Sequence, residues 1–181
     1  MKERGKVAWL LLIVLIMACG NAIAETIPEV PENLRPPITE KLSLETQAKG
    51  VQIYECKAGT SDPARFEWVF KAPEAELFDS TGKKLGSHYA GPTWESVDGS
   101  KVAGAVKAQD KGPDAGAIAW LLLTAKATSG NGIFSRVTTI QRLKTSGGKA
   151  PAGGCTQAEA GKEIRVPYTA TYYFYVVADR P

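Results

Sequence analysis

Glycine and proline recur along this chain, 18 and 11 times in 181 residues, and the apolar stretches between them are short. Proline has no amide proton and ends helices, while glycine supplies the backbone conformations of tight turns. Punctuation at that spacing suits many short strands joined by turns and leaves little room for long helices. The stretches themselves agree. Val51 and Ile53 alternate with Gln52, Tyr54 and Cys56, the period of a strand. Phe66, Trp68 and Phe70 share one face of a second strand and are assigned to the core, with Pro73 ending that run.

Further along, residues 75–79 and 84–89 flank a turn at Ser80-Thr81-Gly82-Lys83, and Gly91-Pro92 turns the chain again. Trp94–Val97 and Ser100–Val106 flank Asp98-Gly99, a hairpin signal in which both central residues are expected at positive φ. Residues 117–123 are almost continuously apolar, which fits either a strand buried on both faces or a short buried helix. Their length and flanking glycines favour the strand. Residues 133–143 are rich in β-branched residues, which disfavour helix, and 144–154 read as a glycine-rich loop ending at Cys155. Residues 168–177 form the last strand, apolar on both faces. Residues 38–48 are ambiguous and are read as strand.

These elements predict an all-β fold: a single-domain antiparallel β-sandwich or barrel with a Pro-rich N-terminal arm. The expected organisation is a signal peptide over 1–24, an extended arm over 25–40 (Pro28, Pro31, Pro36 and Pro37) and one β-rich domain over 41–181. The leader rests on Lys2, Arg4 and Lys6, followed by an apolar run from Val7 to Ala18 and by Ala22-Ile23-Ala24 before Glu25. The apolar run is shorter than the roughly 20 residues of a membrane-spanning helix, so no transmembrane segment is expected after cleavage. A lipoprotein signal processed at Cys19 is the lower-ranked alternative. The expected location is secreted or periplasmic.

Cleavage would remove Lys2, Arg4, Lys6 and Glu3 from the chain's 22 basic and 19 acidic residues, leaving 19 and 18 and a net charge of +1. Nucleic-acid binding needs a concentrated basic face. The remaining basic residues are scattered, so no nucleic-acid partner is expected. Beyond Cys19, two cysteines remain, Cys56 and Cys155; in an oxidising compartment they are expected to form a disulfide. Two cysteines and a single histidine, with no C-x-x-C spacing, make a poor metal-ligand set. No metal site is expected.

Several segments together resemble the domain-of-unknown-function family 3455, a family of secreted bacterial and fungal proteins. They are Gly50-Val51-Gln52-Ile53-Tyr54-Glu55-Cys56, His88-Tyr89-Ala90-Gly91-Pro92-Thr93-Trp94-Glu95 with Asp98-Gly99-Ser100, Trp120-Leu121-Leu122-Leu123, Ile140-Gln141-Arg142, Thr145-Ser146-Gly147-Gly148 and Tyr168-Thr169-Ala170. The resemblance implies a secreted, mainly β domain and no particular activity. No G-x-G-x-x-G follows a strand, and the βαβ units that motif serves are not predicted; no cofactor is expected.

The chemically richest stretch is His88–Ser100. His88 is the only histidine and the side chain best suited to base chemistry near neutral pH. Pairing of residues 84–89 with 94–97 would bring it near Glu95, with Asp98 as a second carboxylate and Tyr54 or Tyr89 as a hydroxyl. Trp94, among polar residues after a turn, is the aromatic best placed to be an exposed stacking surface for a sugar or planar ligand; Trp68 and Trp120 are assigned to the core. The candidate binding residues are therefore His88, Tyr89, Trp94, Glu95 and Tyr54. The expected role is non-catalytic binding of an envelope glycan or small molecule. A structural envelope protein and an enzyme using His88 as general base are the alternatives.

Overall fold

The computed structural model describes residues 29–179. The leader, its cleavage site, Cys19 and residues 25–28 of the arm lie outside the described residues. Apart from two single-turn 3-10 segments, Glu32–Leu34 and Gln157–Glu159, the regular structure is strand: β1 (Glu40–Ala58), β2 (Phe66–Phe78), β3 (Lys84–Tyr89), β4 (Thr93–Ser96), β5 (Lys101–Asp110), β6 (Trp120–Ser129), β7 (Val137–Gly147) and β8 (Glu163–Val177). Each strand pairs antiparallel with its sequence neighbour, and β8 returns to β1, closing the sheet into a barrel. The all-β antiparallel reading holds, and of the two architectures expected the chain takes the barrel.

Closure explains why β8 is apolar on both faces. Tyr168, Ala170, Tyr172 and Phe174 belong to the interior cluster. Tyr173 and Tyr175, on the opposite face, form a second cluster outside the wall with Leu122, Leu143, Val30 and Leu34. The arm is thus packed rather than free: Leu34 is 0% exposed. It is held there by polar bonds as well. Gln141 Nε2 donates to the Leu34 carbonyl at 2.6 Å, and Tyr175 Oη donates to Gln141 Oε1 at 2.6 Å. The same two-sided cover accounts for residues 121–123, where Leu121 and Leu123 face the interior and Leu122 faces the arm.

In an up-and-down barrel the loops alternate between two ends. One end is closed. Phe134, fully buried, packs on Phe174 at 4.7 Å between ring centres, and the β4–β5 turn is tied to it. Asp98 accepts from the Ser100 amide and hydroxyl at 2.8 and 2.6 Å and from the Ile133 amide at 2.9 Å. Ser100 Oγ in turn accepts from the Phe134 amide at 3.1 Å. Only Gly99 takes positive φ in this turn; Asp98 does not, because its carboxylate braces the neighbouring amides instead.

Five other local readings change. The stretches read as 38–48 and 51–56 join into one 19-residue strand, β1, which begins at Glu40 after a turn at residues 38–39. Pro73 does not end β2 but lies within it. It is tolerated because β2 pairs with β3 only from Ala75 onward, so Pro73 faces no β3 partner and its missing donor leaves no gap there. Residues 144–147 extend β7 past a register shift, with Lys144 at φ 50°. The Phe66, Trp68, Phe70 stripe is not core: Phe70 is 51% exposed and the other two are half-buried, since this part of β2 continues past the end of β3, with β1 on one side and only a single bridge from Phe66 to Cys155 on the other. Trp120 is likewise half-buried, on the outer cluster beneath the arm.

At the other end, Cys56 near the tip of β1 is bonded to Cys155 in the β7–β8 connection, 99 residues away. Removing the bridge as Cys56→Ala/Cys155→Ala is expected to cost about 2–4 kcal/mol of stability, chiefly by freeing the unfolded chain, read as a lower urea midpoint. Gly50 makes a second demand: a Cβ there would overlap the backbone of Glu74 and Ala75 on β2. Gly50→Ala is expected to lose about 1–3 kcal/mol; an unchanged thermal midpoint would show that β1 and β2 do not approach this closely.

Candidate functional site

The open end is the one carrying the β1–β2, β3–β4, β5–β6 and β7–β8 connections. Its wall is uneven. β3 and β4 are only 6 and 4 residues long, so the barrel is low between the taller β2 and β5. Through that notch opens a cavity of about 600 Å³, bounded at the mouth by Phe70, Lys71 and Pro73 of β2, the Ala90-Gly91-Pro92 turn, and Val106 and Gln109 of β5. Inside it are Gln52, Tyr54, His88, Trp94, Ile118, Leu121, Leu123, Arg142 and Tyr172. Small-molecule sites fall in this size range and are mostly apolar with a few placed polar groups.

Strand alternation decides which of the expected residues reach it. On β3 and β4, His88 pairs with Trp94, and Ser87 with Glu95, so His88 and Trp94 share the inner face while Glu95 takes the outer one. Tyr89 is also outside, its hydroxyl donating to Glu95 Oε2 at 2.7 Å, with Lys101 Nζ 3.1 Å from the same oxygen. His88, Trp94 and Tyr54 therefore line the cavity; Tyr89 and Glu95 do not. The barrel wall separates His88 from the carboxylate expected to orient it. Asp98 is engaged at the closed end.

Trp94 is 1% exposed, not an exposed platform. Its indole fits inside because Gly104 on β5 leaves room: a Cβ there would meet Trp94 Cζ3 at 3.2 Å. His88 stacks on it with ring centres 4.4 Å apart and planes 11° from parallel, and meets the edge of Tyr172 at 5.1 Å. His88 Nδ1 lies 2.9 Å from the Thr93 carbonyl. A carbonyl only accepts, so Nδ1 carries the proton of the neutral ring. Burial pushes the His88 pKa down to about 3, with a smaller push from the Arg142 cation and a partial offset from the Thr93 bond. A group that weakly basic is ill matched to proton abstraction near neutral pH. Tyr54 is a latch: its hydroxyl donates to the Gly148 carbonyl at 2.6 Å, fastening the β7–β8 connection at the mouth that the disulfide also holds.

The sequence reading missed Arg142, Gln52 and Tyr172. Arg142 stands opposite Leu121 on β6 and Tyr172 on β8. Its Nε and Nη2 donate to the Ala119 carbonyl at 3.1 and 2.9 Å, fixing the guanidinium in the wall. The available signal was parity: Arg142 lies two residues from the inward Ile140, and Gln52 shares a face with Tyr54. The strand pairing that makes those faces internal is not written in either segment.

A family model described as "Protein of unknown function (DUF3455)" matches residues 37–176. No curated protein and no solved structure matches the chain.

The His88 environment sets a pH dependence. Its folded pKa of about 3 is below its ordinary value of 6.5, so protons bind the unfolded chain preferentially between those values. The contribution is complete above pH 6.5 and drains away as the pH falls toward 3. Native protein is expected to lose stability below pH 6.5 more steeply than His88→Phe, by up to about 1.4 kcal/mol per pH unit. Urea titrations at pH 7, 6 and 5 check this; parallel curves for the two proteins would mean that the imidazole is not buried neutral.

Proposed function

We propose that this chain, which belongs to the DUF3455 family, is a non-catalytic binding protein that takes a small, largely apolar molecule into the open end of its barrel. The observation that carries the reading is the cavity itself: about 600 Å³, walled by Ile118, Leu121, Leu123 and Trp94, and reached through the low β3–β4 wall. Folding alone favours filling such space, because interiors pack densely and voids cost stability. Two further features favour a preformed site. The disulfide and the Tyr54–Gly148 bond hold the mouth, which reduces the ordering cost of binding. Among the described residues, the cavity also brings no carboxylate to His88, so it lacks an oriented acid–base pair.

The same geometry favours a small molecule over a glycan. The glycan expectation rested on an exposed Trp94, and the indole lies inside. An exported location, periplasmic or secreted, is part of the proposal. It is supported by the Cys56–Cys155 bridge, since such bonds persist in oxidising compartments.

The neutral dye N-phenyl-1-naphthylamine is expected to bind saturably with a rise in fluorescence. Ala119→Trp adds an indole at the cavity wall and is expected to abolish that rise while shifting the melting temperature by less than ~4 °C, under about 1 kcal/mol for a domain of this size. Dye binding that survives Ala119→Trp, or no binding by the native protein, would remove the cavity as the site.

A further inference from the structure

We propose that the cavity's ligand carries an anionic head, a carboxylate on an apolar body, and that Arg142 receives it. The inference rests on the binding reading above and adds the ligand's chemical class. It starts from charge. Lys71, Lys149 and Arg142 border the cavity and, among the described residues, no Asp or Glu does. Lys71 is already paired with Glu163 and Lys149 sits at the exposed rim. Arg142 is different: it is half-buried among apolar neighbours and, among the described residues, makes no ion pair. Two of its five N–H groups reach the Ala119 carbonyl, which leaves three to give. A charge withdrawn from water without a counter-ion is costly, and a guanidinium fork fits a carboxylate in shape and charge.

The second observation is independent of charge. Gln52 Nε2, Trp94 Nε1 and Tyr172 Oη are buried and make no hydrogen bond, as is Tyr168 Oη just behind them. Gln52, Trp94 and Tyr172 each line the cavity and each is at least 98% buried. Buried polar groups are seldom left unpaired, and all four can donate. Burial raises the pKa of both tyrosines, which keeps them protonated as donors. Gln52 and Arg142 lie near enough to Tyr168 and Tyr172 to act on the tyrosine hydroxyls, as the two hydroxyls do on each other, but none of these approaches has the distance and angle of a hydrogen bond, so the four atoms stay unpaired. A ring of donors beside an unpaired cation asks for oxygen acceptors bearing negative charge. Leucine and isoleucine walls ask for the apolar body behind them.

The test is displacement of N-phenyl-1-naphthylamine by matched acids and alcohols: decanoate against decanol, and 2-naphthoate against 2-naphthol. The acids are expected to act at concentrations at least about tenfold lower than the alcohols, the advantage of a charge-assisted bond. Arg142→Gln is expected to bring that ratio to about one. Because Arg142 also braces Ala119, Tyr172→Phe and Gln52→Leu repeat the test without touching the guanidinium. Each is expected to lower the ratio several-fold while the near-ultraviolet circular dichroism stays native. Acids no better than alcohols, or a ratio unmoved by all three variants, overturns the anionic head and leaves the cavity reading standing. If neither dye nor acid binds, by fluorescence or by calorimetry, the binding reading itself is overturned and this one with it.

Discussion

The pairing of β8 with β1 closes the sheet, and most of what distinguishes this molecule follows from that closure. An open antiparallel sheet can turn its polar face to water. A closed one has an inside, and strand alternation sends every second residue there whether or not it is apolar. Each inward group must then be packed, hydrogen-bonded or offered a partner from outside. Over most of the barrel packing suffices: Leu77, Val102, Leu123, Ile140 and Phe174 are fully or almost fully buried together. Toward the open end the inward positions are Gln52, Tyr54, His88, Trp94, Arg142 and Tyr172, and packing alone does not satisfy them.

The two ends meet that demand differently. At the closed end the turn network is satisfied internally: Asp98 serves the amides of Ser100 and Ile133, and Ser100 serves Phe134, while Glu40 Oε2 and Thr46 Oγ1 on the first half of β1 are buried without a partner. The result is a capped, self-sufficient turn network beneath a buried phenylalanine. At the open end Tyr54 and His88 are bonded to backbone carbonyls, and those bonds fix the rim and the inner wall. The deeper donors are left over. A neutral His88 matters here: were it charged, it would stand beside the Arg142 cation in the same low-dielectric space. Holding the imidazole uncharged leaves the guanidinium, among the described residues, as the only inward cation of the inner cavity wall.

How much of this was legible in the chain depends on whether a feature is local. Alternation and turn residues are local, so the β class, the closing strand and the hairpin at Gly99 could be read directly. The disulfide followed from counting cysteines. Which way a side chain points is settled by partners far along the chain. Phe66, Trp68 and Phe70 look like core because they alternate, but they lie where β2 has run past β3. Trp94 looks exposed because its neighbours are polar, yet its register against His88 and the space above Gly104 take it inside. Glu95 and His88 are close on paper, and a parity of one residue puts a wall between them. Arg142 carried no motif at all: its meaning depends on β6 and β8 placing Leu121 and Tyr172 beside it.

The pattern of departures from good packing is itself informative. A sequence under selection for stability alone would convert Gln52 and Arg142 to aliphatic residues and Tyr172 to phenylalanine, since replacing buried polar groups with apolar ones of similar shape is often neutral or stabilising. The chain instead keeps these groups together, at one end, around one cavity, and reinforces the surrounding rim with a disulfide and a tyrosine latch. Rigid support around an unsatisfied interior is the arrangement expected of a preorganised site, where local rules of folding yield to the needs of a ligand. The Asp98–Ser100–Phe134 network shows that the same chain can satisfy buried polar groups internally where nothing has to enter.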